Sequence, residues 1–187
     1  MAQKYYRMNI AKLDRDLPLC PISDTLNIGA FVLFGDVELT EHCANELCKL
    51  APEHDVMITA ESKGIPLICD MARILGEKRY ILARKSVKLY MKDVRKCVTK
   101  SITTEKEQVL YIDGEDAEFM KGKRVLIVDD VISTGGSLES LENLVLQSGG
   151  EIVGKMTILA EGDAIGRSDI TYLAPLPLFD KDGKPLA

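Results

Sequence analysis

The stretch of this 187-residue chain with the most chemistry in it is Val125-Leu-Ile-Val-Asp-Asp-Val-Ile-Ser-Thr-Gly-Gly-Ser137. Four apolar residues, Val125 to Val128, predict a buried strand, and two adjacent carboxylates, Asp129 and Asp130, stand at its carboxyl end. Ser133, Thr134, Gly135, Gly136 and Ser137 then make a small, hydroxyl-rich turn. Leu138, Leu141, Leu144 and Val145 follow at helical spacing, so the turn opens a helix. A glycine turn lets backbone N–H groups converge on an anion, and a helix amino terminus adds partial positive charge. The serine and threonine hydroxyls add further donors. Paired carboxylates repel a bare phosphate and call for hydroxyl groups or a cation-bound ligand. A sugar phosphate meets both demands, with its diol on the acids and its phosphate in the turn. No Lys follows the glycines, which excludes the Gly-rich loop of a nucleoside triphosphatase. No Gly-x-Gly-x-x-Gly follows a strand, which removes the main dinucleotide signal.

Two more segments carry charge where an anion could use it. Glu61-Ser62-Lys63-Gly64 follows the apolar run Val56 to Ala60, so a strand again ends in a small turn and then a helix. Lys63 supplies charge there, and Gly64 permits close backbone approach. Residues 78–106 hold ten Lys or Arg against Asp93 and Glu105, a local balance of +8. The whole chain is −5, so the remainder is −13. A basic insert in an acidic protein suggests a polyanion site, and both a diphosphate and a nucleic acid fit that description. The insert has only Tyr80 and Tyr90 as interleaved aromatics, so stacking on nucleic acid is poorly supported.

These groups must be positioned by alternating strands and helices. Helical spacing covers Glu38 to Leu50 and Ile65 to Leu75, the second helix stopped by Gly76. Strands are expected at Val56–Ala60, Tyr80–Ala83, Gln108–Ile112, Arg124–Val128 and Ile152–Leu159, with a turn at Asp113-Gly114 and a helix over 138–147. The amino-terminal 35 residues read as a mixed region with Pro18, Pro21 and Gly29, ahead of a first strand near residue 30. The alternation predicts an α/β, doubly wound and mainly parallel sheet, whose ligands bind outside the carboxyl ends of the strands. Length and 46% hydrophobic content suit one globular domain over 1–187. No apolar run approaches the roughly 20 residues of a membrane span, and the first residues lack a signal core. Five scattered cysteines without a Cys-x-x-Cys pair suggest reduced cytoplasmic thiols. His42 and His54 read as surface or helix-end residues rather than metal ligands.

Residues 125–137 resemble the phosphoribosyl-diphosphate motif of the type I phosphoribosyltransferases. The resemblance implies that Asp129 and Asp130 hold the ribose 2′- and 3′-hydroxyls and that Ser133, Thr134, Gly135, Gly136 and Ser137 hold the 5′-phosphate. Glu61-Ser-Lys-Gly is similar to the Glu-Ser-Arg-Gly turn of the adenine branch, with Lys63 in place of Arg. It implies that Ser62, Lys63 and Gly64 bind diphosphate, with a cis peptide at Ser62–Lys63. Arg84-Lys-Ser-Val-Lys-Leu89 resembles the family's Arg-Lys-x-x-Lys-Leu segment, which makes Lys85 and Lys88 diphosphate ligands. Residues 86–107 would then be a mobile active-site loop bearing Glu105 near the purine, although Lys106 replaces the usual Tyr. Tyr172-Leu-Ala-Pro-Leu-Pro-Leu-Phe179, preceded by Gly166-Arg167, is similar to the adenine enzymes' carboxyl-terminal Leu-Ala-Pro-Val-Pro-Phe-Phe.

The matches run from about residue 55 to 179. Residues 1–36 would form the base-selecting hood, with Phe34 stacking on the purine and Gly35 where the adenine enzymes have Arg. The implied activity is transfer of phosphoribose from 5-phosphoribosyl-1-diphosphate to adenine, with Glu105, Lys88 and Asp130 as catalytic residues. Mg²⁺ would arrive on the substrate rather than on direct protein ligands. The partners implied are the purine base, phosphoribosyl diphosphate and a second subunit in a homodimer, with no membrane and no nucleic acid. Hypoxanthine–guanine enzymes commonly carry Asp where this chain has Ser133, which favours adenine. Glu61-Ser-Lys-Gly-Ile-Pro-Leu also resembles archaeal-type hypoxanthine enzymes, so a 6-oxopurine is the alternative. A non-catalytic phosphoribosyl-diphosphate-sensing regulator is another, although the stretch ahead of the first expected strand is too short for a winged helix.

Overall fold

A computed structural model describes residues 3–100 and 107–186. In chain order the strands are β1 (Tyr5–Ile10), β2 (Leu13–Pro21), β3 (Leu26–Gly29), β4 (Val56–Ala60), β5 (Ile81–Ala83), β6 (Arg95–Lys100), β7 (Glu107–Ile112), β8 (Arg124–Ile132), β9 (Glu151–Glu161), β10 (Thr171–Leu176) and β11 (Phe179–Asp180). The helices are α1 (Val37–Cys48), α2 (Ile65–Leu75), α3 (Gly114–Met120) and α4 (Gly136–Gln147). The central sheet runs β10-β9-β8-β4-β5 with every pairing parallel.

Burial of this sheet on both faces follows from its sequence. Met57, Leu126, Val128, Met156 and Ile158 pack with Leu39, Cys43 and Leu47 of α1 and Leu67, Ile68 and Met71 of α2. The alternating set, Val56, Ile58, Val125 and Ile127, packs with Ala117 and Met120 of α3 and Leu138, Leu141, Leu144 and Val145 of α4. Strands covered on both sides need a near-continuous apolar run, and Val125 to Val128 is one. This is the doubly wound α/β arrangement expected, and it sets the carboxyl ends of β4, β8 and β9 side by side.

The amino-terminal region differs from its sequence reading. In place of an irregular start it forms an antiparallel sheet, β1-β2-β3-β11, closed by the return of β11 onto β3 (Phe179 opposite Asn27). Leu17, Leu19 and Phe179 are buried beneath it and join the α1–α2 core. The Ala30 N–H donates to the Pro18 carbonyl at 2.9 Å, but Pro18 has no N–H to return. The ladder accordingly stops at Gly29, and residues 30–34 leave the sheet.

Three further elements were absent from the sequence reading, among them β10 at the edge of the central sheet. Asp113 does not turn the chain but caps α3, accepting from the Glu115 N–H at 3.0 Å. The basic segment ends in β6, which pairs antiparallel with β7. Among the described residues no helix is long and apolar enough to cross a membrane.

Candidate active site

A cavity of about 550 Å³ opens over the carboxyl ends of the central strands. Its floor is Asp129, Asp130 and Val131 of β8. Ala60, Glu61, Ser62 and Lys63 follow β4 on one flank, with Lys85 beyond β5. Glu161 of β9 and Leu176 of β10 form the other flank, Ser133 and Ser137 come from the turn into α4, and Ile28 to Val32 descend from the hood. The charged and hydroxyl groups of four chain-distant segments therefore face one space.

β8 continues to Ile132, so both acids lie within the strand rather than beyond its end. They are 9% and 4% exposed. The Asp130 N–H donates to Asp129 Oδ1 at 2.9 Å. Burial, reinforced by the adjacent Asp130 charge, holds the Asp129 carboxyl well above the ordinary carboxylate range. Asp130 Oδ2 meets Lys63 Nζ at 3.0 Å, a charge contact without the alignment of a hydrogen bond. Lys63 Nζ also reaches the Phe31 carbonyl at 3.4 Å, so one side chain ties the β4 turn, the β8 acids and the hood wall together.

The β4 turn is fixed from both sides. Glu61 accepts from the Lys85 N–H at 3.0 Å and faces Arg84 Nη2 at 3.3 Å, and these contacts keep its carboxyl below the ordinary value. Gly64 is required by proximity: a Cβ there would collide with Thr59 Oγ1 and stand 3.3 Å from Asp129 Oδ1. The closest approach is thus between the turn and Thr59 of β4, with Asp129 of β8 next. The turn contains a cis peptide at Glu61–Ser62, one residue before the expected Ser62–Lys63 bond.

The β8 turn is built differently. Gly135 has φ +86° at the N-cap of α4, a left-handed conformation that glycine adopts without strain, and no side chain caps the helix. An amino terminus without a side-chain cap suits an anion, and Ser133 and Ser137 line the cavity beside it. Thr134 is exposed, and Gly136 begins the helix.

The structure brings Ser62, Lys63, Lys85, Asp129, Asp130, Ser133 and Ser137 to the same cavity, with Gly64 beneath it. Lys88 is not among the cavity residues, and its Nζ contacts Ser86 Oγ at 2.7 Å. Phe34 departs from its expected place. It is 53% exposed and lines a neighbouring groove with Val37, Pro66, Cys69 and Arg73, because the chain has turned away by residue 33 to enter α1. Residues 28–32 form the hood wall instead. Glu105 lies outside the described residues.

Two residues escaped the sequence reading of the site. Glu161 ends β9 inside the cavity, its carboxyl raised above the ordinary value by burial and opposed only by the charge of Lys63. Arg167 stands behind the β8 turn, where a Cβ on Gly135 would lie 3.2 Å from Nη1. Asp169 holds that guanidinium at 2.9 and 2.7 Å. The Gly166-Arg167 pair was visible in the sequence, but its neighbour was not.

Comparison with known proteins agrees with this geometry. Residues 38–174 match the phosphoribosyl transferase domain family. The chain is 34% identical over 170 residues to the adenine phosphoribosyltransferase of Thermotoga petrophila, covering 90% of this chain and 91% of the relative. It is 35% identical over 109 residues to the hypoxanthine/guanine phosphoribosyltransferase of Methanotorris igneus, covering 58% and 55%. The crystal structure of the Rhodothermus marinus adenine phosphoribosyltransferase shares the fold with a TM-score of 0.63 at 21% identity, covering 92% and 94%.

Proposed function

The chain belongs to the phosphoribosyl transferase family, and we propose that it transfers phosphoribose from 5-phosphoribosyl-1-diphosphate to adenine, giving AMP and diphosphate for purine salvage. The observation that carries this reading is the meeting, in one cavity, of a buried carboxylate pair, a helix amino terminus without a side-chain cap and the cations Lys63 and Lys85 that follow β4 and β5. Each suits a different part of the donor substrate. Asp129 and Asp130 accept hydrogen bonds from the ribose 2′- and 3′-hydroxyls. The backbone N–H groups of residues 133–137, with the Ser133, Thr134 and Ser137 hydroxyls, take the 5′-phosphate. Ser62, Lys63, Gly64 and Lys85 receive the diphosphate.

Lys63 is the pivot of the reaction. Without substrate it neutralises Asp130 across 3.0 Å. When the diol takes over that carboxylate, the ammonium is available to the leaving diphosphate, where negative charge grows as the C1′–O bond breaks. Lys88 joins it if the 86–107 loop closes, bringing Glu105 towards the base and shielding the oxocarbenium-like centre from water. The hood, residues 1–36, covers the base side.

The Asp129 and Asp130 carboxylates, hard oxygen donors lining the cavity, fit a Mg²⁺ ion that keeps most of its coordination on substrate oxygens. Such an ion would neutralise part of the diphosphate charge. A homodimer in the reducing cytoplasm is the setting consistent with the family resemblance and the scattered cysteines.

Adenine is favoured by the Thermotoga relative, aligned along nine-tenths of the chain, and by Ser133 in place of an acid. The Methanotorris relative supports a 6-oxopurine as the second reading. Incubating the protein with phosphoribosyl diphosphate, Mg²⁺ and each purine separately decides between them. AMP as the dominant product is expected. IMP or GMP formed faster overturns the choice of base, and no nucleotide from any base overturns the transferase reading.

A further inference from the structure

Resting on the transferase reading above, we infer that Glu161 reads the purine ring, accepting from the exocyclic N6 amine of adenine and donating to an adjacent ring nitrogen. The position follows from sheet order and displacement geometry. The ribose is anchored over β8, and the diphosphate turn follows β4 on one side of it. In a displacement at C1′ the entering nitrogen and the leaving oxygen occupy opposite faces. The base must then stand on the other side of β8, over β9 and β10. Glu161 ends β9, pairs in register with Leu176 of β10, and lines the cavity with it. Residues 28–32 close that space from the hood.

The state of the side chain points the same way. Glu161 is partly buried, yet among the described residues its carboxyl has no hydrogen bond and no ion pair. A desolvated carboxyl without a partner is costly unless a ligand supplies one. The remaining charged groups around the cavity are Glu61, Lys63, Lys85, Asp129 and Asp130. Glu61 is satisfied by Arg84 and Lys85, and Lys63 by Asp130. Glu161 is left facing the base compartment.

Burial favours the protonated carboxyl, which presents one O–H donor beside one C=O acceptor. Adenine offers the complement on either edge, the N6 amine beside N1 or beside N7. An ionised carboxylate would instead suit the N1–H and N2 amine of guanine.

The test is binding of AMP and of ribose 5-phosphate, which share ribose and phosphate and differ by the base, measured by calorimetry on wild type, Glu161→Ala and Glu161→Gln. Glu161→Ala is expected to weaken AMP about 10-fold and to leave ribose 5-phosphate within about 2-fold, the size of a lost hydrogen-bonded pair. Glu161→Gln, which keeps one donor and one acceptor at every pH, should hold AMP within about 3-fold. In wild type the ratio of AMP to ribose 5-phosphate affinity should fall as rising pH ionises the Glu161 carboxyl, and in Glu161→Gln it should stay flat. Unchanged AMP binding in Glu161→Ala, or an equal loss for both ligands, overturns the inference. So does a wild type that binds AMP no better than ribose 5-phosphate. A wild type that binds AMP with the expected Glu161 dependence but forms no nucleotide overturns the transferase reading alone.

Discussion

The five-stranded platform and the four-stranded hood use the same residue types under different constraints. The platform is covered on both faces, by α1 and α2 on one side and α3 and α4 on the other. The hood covers only its inner face, leaving Tyr5 and Ile22 more than half exposed. Two buried carboxylates and a collision-limited glycine are tolerated over β8 because the surrounding strands do not yield. The hood contributes a wall of residues 28–32, two from the end of β3 and three from the segment that follows once the ladder has ended at Pro18. A rigid floor suits the invariant part of a substrate, its ribose and phosphates. A wall built from a strand end and the segment after it suits the part that differs between substrates.

The largest expected effect breaks the floor while leaving the hood untouched. Asp130→Asn keeps the shape but removes the charge that accepts from the diol and pairs with Lys63. A loss of about 10²–10³-fold in kcat/KM for phosphoribosyl diphosphate is expected, about 3–4 kcal/mol of transition-state stabilisation. Undiminished turnover in a steady-state assay would remove the carboxylate pair from the mechanism.

A matched pair of cavities separates the two regions energetically. Leu141 in α4 is fully buried under the platform, and Leu17 in β2 is 5% exposed under the hood. Leu→Ala at either site should cost about 3 kcal/mol. The loss at Leu141 is expected to lower global protection in hydrogen exchange. The loss at Leu17 should first speed exchange over residues 5–29, with β8 and β9 still protected. Equal loss of protection in both regions from Leu17→Ala would mean that hood and platform open as one unit.

The same contrast explains what could be read in advance. The β8 strand and turn were legible because strand pattern, acids, hydroxyls, glycines and helix period agree within thirteen consecutive residues. The bounds of β4 and α2 came out as expected for the same local reason. The hood strands were hidden because Pro18 and Pro21 read as breakers, and because a one-sided sheet alternates too weakly, as Leu13-Asp-Arg-Asp-Leu17 does, to stand out from a loop. Glu161 was hidden for a different reason. Its place depends on β9 running two residues past Leu159 and on its register against β10, and neither is encoded near residue 161. Phe34 shows the reverse case: the helix over Glu38 to Leu50 was legible from its spacing, but the way Asp36 starts it, accepting from the Leu39 N–H at 3.0 Å, and the direction this gives the chain at Phe34 were not.

A smaller effect, of opposite sign, tests whether the floor is strained before substrate arrives. The raised Asp129 carboxyl retains its proton in the folded protein above 3.8, its ordinary value. From 3.8 up to the folded value the native state therefore binds more protons than the unfolded chain, and stability falls as pH rises through that window. Asp129→Asn removes this titration and keeps an oxygen for the Asp130 N–H. The variant should match wild type near pH 4 and exceed it by about 1–2 kcal/mol at pH 8, while losing activity. Thermal melts across pH check the sign, and a variant less stable at pH 8 would show that the acid pair is well accommodated without substrate.

The smallest expected effect concerns the edge between the two regions. Phe34 leaves the hood wall one turn before α1 and lies beside Val37 and Pro66, outside the cavity. Phe34→Ala should then change the KM for adenine by less than about 2-fold and cost well under 1 kcal/mol, since the ring is already half in water. Truncating Val32, which does line the cavity, should move the adenine KM more than truncating Phe34 while leaving the phosphoribosyl-diphosphate KM unchanged. The opposite ranking would mean that the chain after Gly29 swings on substrate binding and carries Phe34 over the purine. The wall would then be a moving part, and the rigid floor would be the only fixed reference for the base.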